Sequence, residues 1–260
     1  MVITMTDKSK ALALINENGF TTVSQLCKAL SISESTARRI LTKLDQQGLI
    51  LRVHGGAAPL DRKEPEKMGM AARQNLNRKE KVQIAKKASE IITEGSTLIL
   101  LGGTNVAELC PFIVDMHLTV ITNSFLVFNA LQYSASVSIF FLGGLFNPKE
   151  YEVGGFLANQ NLQYIRANFL FMGAASFDEK SGFSTADPAI ELYLSCIEIS
   201  DTICVLADSS KYHSSGVVVT AKPQQVDYLF TDKGLPQEAI QRFKGLGVNV
   251  VLADEAKEGQ

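Results

Sequence analysis

The chain has 260 residues, 46% apolar and 20% charged, a balance that excludes a disordered chain, and no apolar run nears the roughly 20 residues needed to span a bilayer. The net charge of −2 is unevenly spread: residues 1–60 hold seven lysines and arginines against four acids, a net +3, and the remainder carries −5. A basic head on an acidic body points to a polyanionic partner for the head alone, and "MVITMTDKSK" lacks the basic-then-apolar pattern of an export signal, so a cytoplasmic protein with no membrane partner is expected.

The first predicted element is a short amphipathic helix over "DKSKALALINE", residues 7–17, ended by Asn18-Gly19. Thr22 is placed to cap a second helix, "VSQLCKAL", whose Val23, Leu26, Cys27 and Leu30 share one face. After the turn "SIS", Ser33 is a natural N-cap for a third helix and Glu34 suits its positive first turn. There Ala37, Ile40, Leu41 and Leu44 recur at helical spacing and face the core, while Thr36, Arg39 and Lys43 occupy another face with Ser35, Arg38 and Thr42 beside it. Gly48 stops the helix, and "LILRVHGGA" reads as a small β-wing.

Three helices and a wing make a winged helix-turn-helix, whose third helix enters the major groove of operator DNA with its N-terminal residues nearest the bases. Arginine forks suit guanine or phosphate, and hydroxyls can donate to either. Ser33, Ser35, Thr36, Arg38, Arg39 and Lys43 are therefore candidate DNA contacts. The plainer alternative is a solvated surface on which Arg38 pairs with Glu34 one turn back; the surrounding tri-helical pattern favours DNA.

"TARRILTKLDQQGLILRVHGGA" resembles the DNA-binding segment of the DeoR family of bacterial transcriptional regulators, which shows T-(I/V)-R-R-D-L followed by L, G and R-x-H-G-G-A. Thr36, Arg38, Arg39, Leu41, Leu44, Gly48, Leu49, Arg52, His54, Gly55, Gly56 and Ala57 match. The resemblance adds Arg52 and His54, in the wing, to the DNA-contacting set. The family's acid after the arginine pair is Ile40 here, which extends the apolar stripe. Gly55-Gly56 suggests a close approach of the backbone, either to DNA or to a domain interface.

Prolines, a glycine and mixed charges break any periodicity in "PLDRKEPEKMGM", so residues 1–58 are expected as the DNA-binding domain, 59–75 as a linker and 76–260 as an effector-binding and oligomerisation domain. The body opens on a helix around "RKEKVQIAKKASEII". Strand-like runs follow at "STLILL", "LTVIT", "SVSIFFLG", "NFLFMG", "TICVLAD", "YLFT" and "VNVVLA", with helical segments such as "SFLVFNALQY", "PAIELYLSCIEI" and "PQEAIQRFKGL" between them. This alternation predicts a mainly parallel α/β sheet covered on both faces, with ligands beyond the carboxyl ends of its strands. Four such ends carry Gly102-Gly103-Thr104-Asn105, Thr122-Asn123-Ser124, Gly143-Gly144, and Asp208 with Lys211. Each alone is ordinary turn chemistry; together they point to a pocket for an anionic small molecule.

The body is similar to the DeoR family's effector domain, whose fold is akin to ribose-5-phosphate isomerase and which senses phosphorylated sugars or related metabolites; "VITNS", "FLGG", "LADSSKYH" and "LFTD" match best. The resemblance implies Gly103, Thr104, Asn105, Thr122, Asn123, Gly144 and Lys211 as effector-binding residues, and a repressor assembled as a homodimer or homotetramer. Two departures stand out: Leu101 replaces the acid of the family's D-S-G-T-T loop, and "PAIELYLSCIE" lacks the lysine of its E-A-x-x-K helix. They point to a different effector or a weakened pocket, and count against isomerase chemistry, which needs a positioned base. Two alternatives stay open: a sugar-phosphate isomerase-like enzyme using Asp178, Asp187 or Glu191, and a regulator with no small-molecule effector. Four cysteines (Cys27, Cys110, Cys196, Cys204) and three histidines (His54, His117, His213) are too scattered for a disulfide framework or a metal site, and no cofactor is expected.

Overall fold

Apolar spacing and capping residues decide the first elements: helices α1 (Met5–Asn18), α2 (Val23–Leu30) and α3 (Glu34–Gln46), with strand β1 (Thr21–Thr22) between the first two. The computed structural model describes residues 5–18, 21–47, 49–53, 55–59, 69–185, 190–214, 216 and 218–253. The chain divides into two units, Met1–Leu76 and Asn77–Gln260. Gly19, Gly48, His54 and Asp187, each singled out from the sequence, lie outside the described residues, as do residues 60–68 of the expected linker.

In the first unit the Thr22 hydroxyl accepts from the Gln25 amide at 3.2 Å while Gln25 Oε1 accepts from the Thr22 amide at 2.7 Å, a reciprocal cap that starts α2. Ser33 caps α3 in the same way, its hydroxyl accepting from the Thr36 amide at 3.3 Å. The apolar stripe closes a small core of Ala11, Ile15, Leu26, Ile40, Leu41 and Leu44, each no more than 1% exposed. Strands β2 (Ile50–Val53) and β3 (Gly56–Pro59) pair antiparallel as the wing, and β1 joins β3. Gly55 has φ +83° with nothing within 4 Å of where a Cβ would sit. Within the chain, the positive φ of the tight turn is what favours glycine at 55. Part of the expected linker is also helical: α4 spans Met70–Asn75 and buries Ala72.

The second unit opens with α5 (Arg78–Ser89) and β4 (Thr97–Leu100), followed by α6 (Thr104–Ala107), α7 (Cys110–Ile113) and β5 (Leu118–Thr122). Next come α8 (Phe125–Leu131), β6 (Val137–Phe141), a hairpin of β7 (Leu145–Asn147) and β8 (Glu152–Gly154), and α9 (Phe156–Asn161). The chain continues through β9 (Ala167–Gly173), β10 (Ser176–Asp178), β11 (Gly182–Thr185), α10 (Glu191–Glu198), β12 (Ser200–Leu206) and β13 (Val218–Ala221). It closes with β14 (Tyr228–Thr231), α11 (Gln237–Gly245) and β15 (Asn249–Leu252). Seven strands form one sheet in the order β15-β14-β12-β9-β4-β5-β6, every neighbour parallel. Alternate residues of each strand bury into opposite layers. Ile99, Leu170 and Val205 pack with α9, α10 and α11, whereas Leu98, Leu100 and Phe171 pack with α5 to α8. Burial on both faces explains why the inner strands read as nearly unbroken apolar runs.

After β4 the chain builds outward through β5 and β6; from β9 it builds the opposite way through β12, β14 and β15. The reversal falls between β4 and β9, and in open parallel sheets a crevice opens beyond the strand ends at such a point.

Candidate functional site

On the first unit, α3 presents Ser33, Ser35, Arg38, Arg39 and Lys43 as exposed side chains over its buried stripe. The Ser33 hydroxyl shares a 3.0 Å hydrogen bond with Ser35, so both are held at the start of the helix. Arg38 is tied to Glu34 by a 2.5 Å ion pair between two exposed side chains, the arrangement the plainer reading anticipated. Thr36 departs from the sequence expectation of an exposed reading face. It is 9% exposed and its hydroxyl bonds that of Ser33 at 2.9 Å, because the first turn folds over its own cap. Arg52 Nη1 donates to the Thr42 hydroxyl at 2.7 Å, and the Arg52 amide donates to Asp45 Oδ1 at 3.2 Å, which fastens the wing to α3.

On the second unit, the loop after β4 stands at the strand reversal. Gly103 has φ +127° and comes close to Gly173 at the end of β9: a Cβ there would lie 3.9 Å from the Gly173 Cα. Gly102 donates its amide to Asn123 Oδ1 at 3.0 Å, joining the ends of β4 and β5. From the other side Asn105, 5% exposed at the start of α6, donates to Asp208 Oδ2 at 3.4 Å, while its own Oδ1 is buried without a partner. Thr104 is half-buried beside it. Asp208 also accepts from Asn77 Nδ2 at 3.0 Å and from the Ser210 hydroxyl. Burial alone would raise its pKa. The bonds from Ser210 and Asn77 and the charges of Lys211 and the buried Lys81 outweigh that and hold the carboxyl below its usual range.

Two of the sequence candidates serve the scaffold. Thr122 is fully buried, and its hydroxyl donates to the Leu100 carbonyl at 2.6 Å and accepts from the Ser124 amide at 3.0 Å. Gly144, φ +143°, sits where a Cβ would overlap the Gly154 carbonyl, so it lets the β7–β8 hairpin close. Leu101, in place of the family's acid, is 0% exposed in the apolar core. Of the alternative carboxylates, Asp178 accepts from the Lys180 and Ser181 amides in a turn, and Glu191 stands at the start of α10. The thiols of Cys110, Cys196 and Cys204 are free, and burial pushes them up, to about 12 for the first two, which leaves them protonated and unreactive at neutral pH.

Sequence reasoning missed the β7–β8 hairpin, which docks on the end of β5: the Val153 amide donates to the Asn123 carbonyl at 2.9 Å, and Asn123 Nδ2 to the Val153 carbonyl at 3.1 Å. Beside it lies a cavity of about 390 Å³ whose polar lining includes Asn123, Asn147, Glu152, Asn159 and Glu191, with Leu145, Phe146 and Tyr193 among its apolar walls. Its signal in the sequence was Gly102. This glycine is not among those of positive φ, so space rather than backbone conformation requires it. Among the described residues no cluster could hold a metal ion, and no helix is long and apolar enough to cross a membrane.

The family described as "DeoR C terminal sensor domain" matches residues 76–233, and "DeoR-like helix-turn-helix domain" matches residues 9–63. The "Transcriptional repressor AccR" of Agrobacterium fabrum is 33% identical over 87% of this chain and 89% of its own. The "Lactose phosphotransferase system repressor" of Lactococcus lactis subsp. lactis is 29% identical over 90% of this chain and 93% of its own. Among solved structures, ribose 5-phosphate isomerase A from Methanocaldococcus jannaschii is 15% identical, covers 52% of this chain and 55% of its own, and superposes with a TM-score of 0.39.

Proposed function

Because the chain belongs to the DeoR family of transcriptional regulators, we propose that it is a cytoplasmic repressor of a sugar or related carbon-source operon, modulated by a phosphorylated metabolite. The observation that carries the DNA side is the capped helix α3, which displays Ser33, Ser35, Arg39 and Lys43 outward over a closed core. Arg38 and Arg52 flank them, and His54 completes the contact set by its place in the wing sequence. Helix N-terminal residues of this kind reach base edges, while the flanking cations neutralise phosphates. Paired operator half-sites about one helical turn apart need paired heads, so the regulator acts as a homodimer or homotetramer.

The effector seat is the Gly102–Gly103 loop at the strand reversal, with Gly103, Thr104, Asn105 and Asn123 around it and Lys211 supplying positive charge for a phosphate. A polar loop where the strand order turns over, flanked by one buried and one half-buried lysine, supports this reading. So does the name of the relative that represses a lactose phosphotransferase system. Binding there favours a conformation or assembly that spaces the heads wrongly for the operator, and the two sites are then coupled by linkage. Fluorescence anisotropy with DNA from upstream of the gene cluster, titrated with sugar phosphates, tests it. Specific binding weakened by one compound is the expected result; binding no tighter than to scrambled DNA overturns the repressor, and specific binding that no compound shifts overturns the effector.

A further inference from the structure

We propose that Glu152 selects the ligand of the sensor unit: its carboxylate, lodged in the space left by the missing side chain of Gly102, receives the hydroxyl- or ammonium-bearing end of a sugar. This rests on the effector reading above and assigns the end of the ligand remote from its phosphate.

The fit between the two residues is steric. A Cβ built at Gly102 would overlap Glu152 Oε2 and lie 2.9 Å from Glu152 Cδ, so any other residue at 102 would evict the carboxylate. The backbone that carries the carboxylate is fixed here, because β8 is bonded to the end of β5 through Val153 and Asn123 and bridges Ser124 at Glu152 itself. Glu152 is 8% exposed and is one of the residues that line the cavity.

The cavity's chemistry then limits what can enter. Its lining includes two carboxylates, Glu152 and Glu191, three carboxamides and Tyr193, with no lysine, arginine or histidine among the described lining residues. A phosphate there would meet like charge. Hydroxyls and ammonium groups would meet acceptors, and charge-assisted hydrogen bonds to a carboxylate are the strongest of these. One acceptor already waits: Asn159 Oδ1 is buried and receives no hydrogen bond. Lys211 lies beside Asp208, across the glycine loop from the cavity, so one molecule spanning the loop would place its phosphate there and its sugar hydroxyls or amine in the cavity.

The test uses the full chain, with thermal shift and DNA release as readouts, and three probes: inorganic phosphate, glucose 6-phosphate and glucosamine 6-phosphate. The wild-type chain should respond to both sugars, and more strongly to the amine. Glu152→Gln keeps the shape but not the charge; it should weaken the amine sugar about tenfold, the neutral sugar less, and leave inorganic phosphate unchanged. Gly102→Ser should abolish both sugar responses, and adding Glu152→Ala should restore thermal stability without restoring the preference for the amine. A Glu152→Gln chain that ranks and binds the sugars as the wild type does overturns this assignment while the effector reading stands. A wild-type chain blind to all three probes overturns the effector reading and this assignment with it.

Discussion

At the scale of single residues the two adjacent arginines are not equivalent. Arg38 is ion-paired with Glu34 at 2.5 Å and lies beside the face on which both Arg39 and Lys43 stand exposed. Arg39→Ala should therefore weaken operator binding by about tenfold or more, and Arg38→Ala by distinctly less, with circular dichroism unchanged in both. Anisotropy at fixed salt measures this, and equal losses would remove Arg39 from its special place. In the sensor unit, Lys211→Ala should abolish the effector response with DNA binding retained; a normal response in that variant would move the phosphate elsewhere. These residues could be picked out in the sequence because charge and hydroxyls at a helix start carry their chemistry with them. Glu152 could not. In "NPKEYEVGG" a glutamate reads as a solvated turn residue, and only the folded hairpin brings it onto Gly102, fifty positions earlier in the chain.

At the scale of elements, legibility followed burial. The inner strands of the central sheet showed in the sequence because both faces are covered, which makes them continuous apolar runs, and the edge strands β6 and β15 showed by their apolar residues although part of each is exposed. The antiparallel group β10, β11 and β13 and the β7–β8 hairpin did not, being three or four residues long with serines, glycines and acids among them. Helix α4 was hidden for a different reason: it follows a charged stretch broken by prolines and glycine, which reads as linker. Ser33→Ala, which removes the cap of α3, should cost about 1 kcal/mol of head stability in chemical denaturation. Leu41→Ala opens a cavity at a 0% exposed position and should cost about 2–5 kcal/mol, much of what a small domain has. That variant should lose DNA binding and keep the ligand-induced thermal shift of the sensor; loss of both would show the two units failing together.

For the whole molecule, electrostatics separates the two tasks. The logarithm of operator affinity should fall linearly with the logarithm of salt concentration as counterions are released, and each phosphate-contacting cation removed should lower the slope by about one. Acid should act on the sensor instead. The Asp208 carboxyl is held below its ordinary 3.8 in the folded state, so its contribution is complete at neutral pH and is lost as pH falls below that value. Asp208→Asn should flatten this acid limb of the unfolding profile and, by leaving Lys81 with less countercharge, lower stability at pH 7. The strand reversal at which the effector seat is proposed also fixes when that seat can exist. The core of the head closes with residues 11–57, whereas the glycine loop waits for Asp208 and Lys211, more than a hundred residues later. During synthesis the core of the head can thus close long before the glycine loop is assembled, and nonsense alleles ending between the two should leave folded heads that neither pair on the operator nor answer a metabolite.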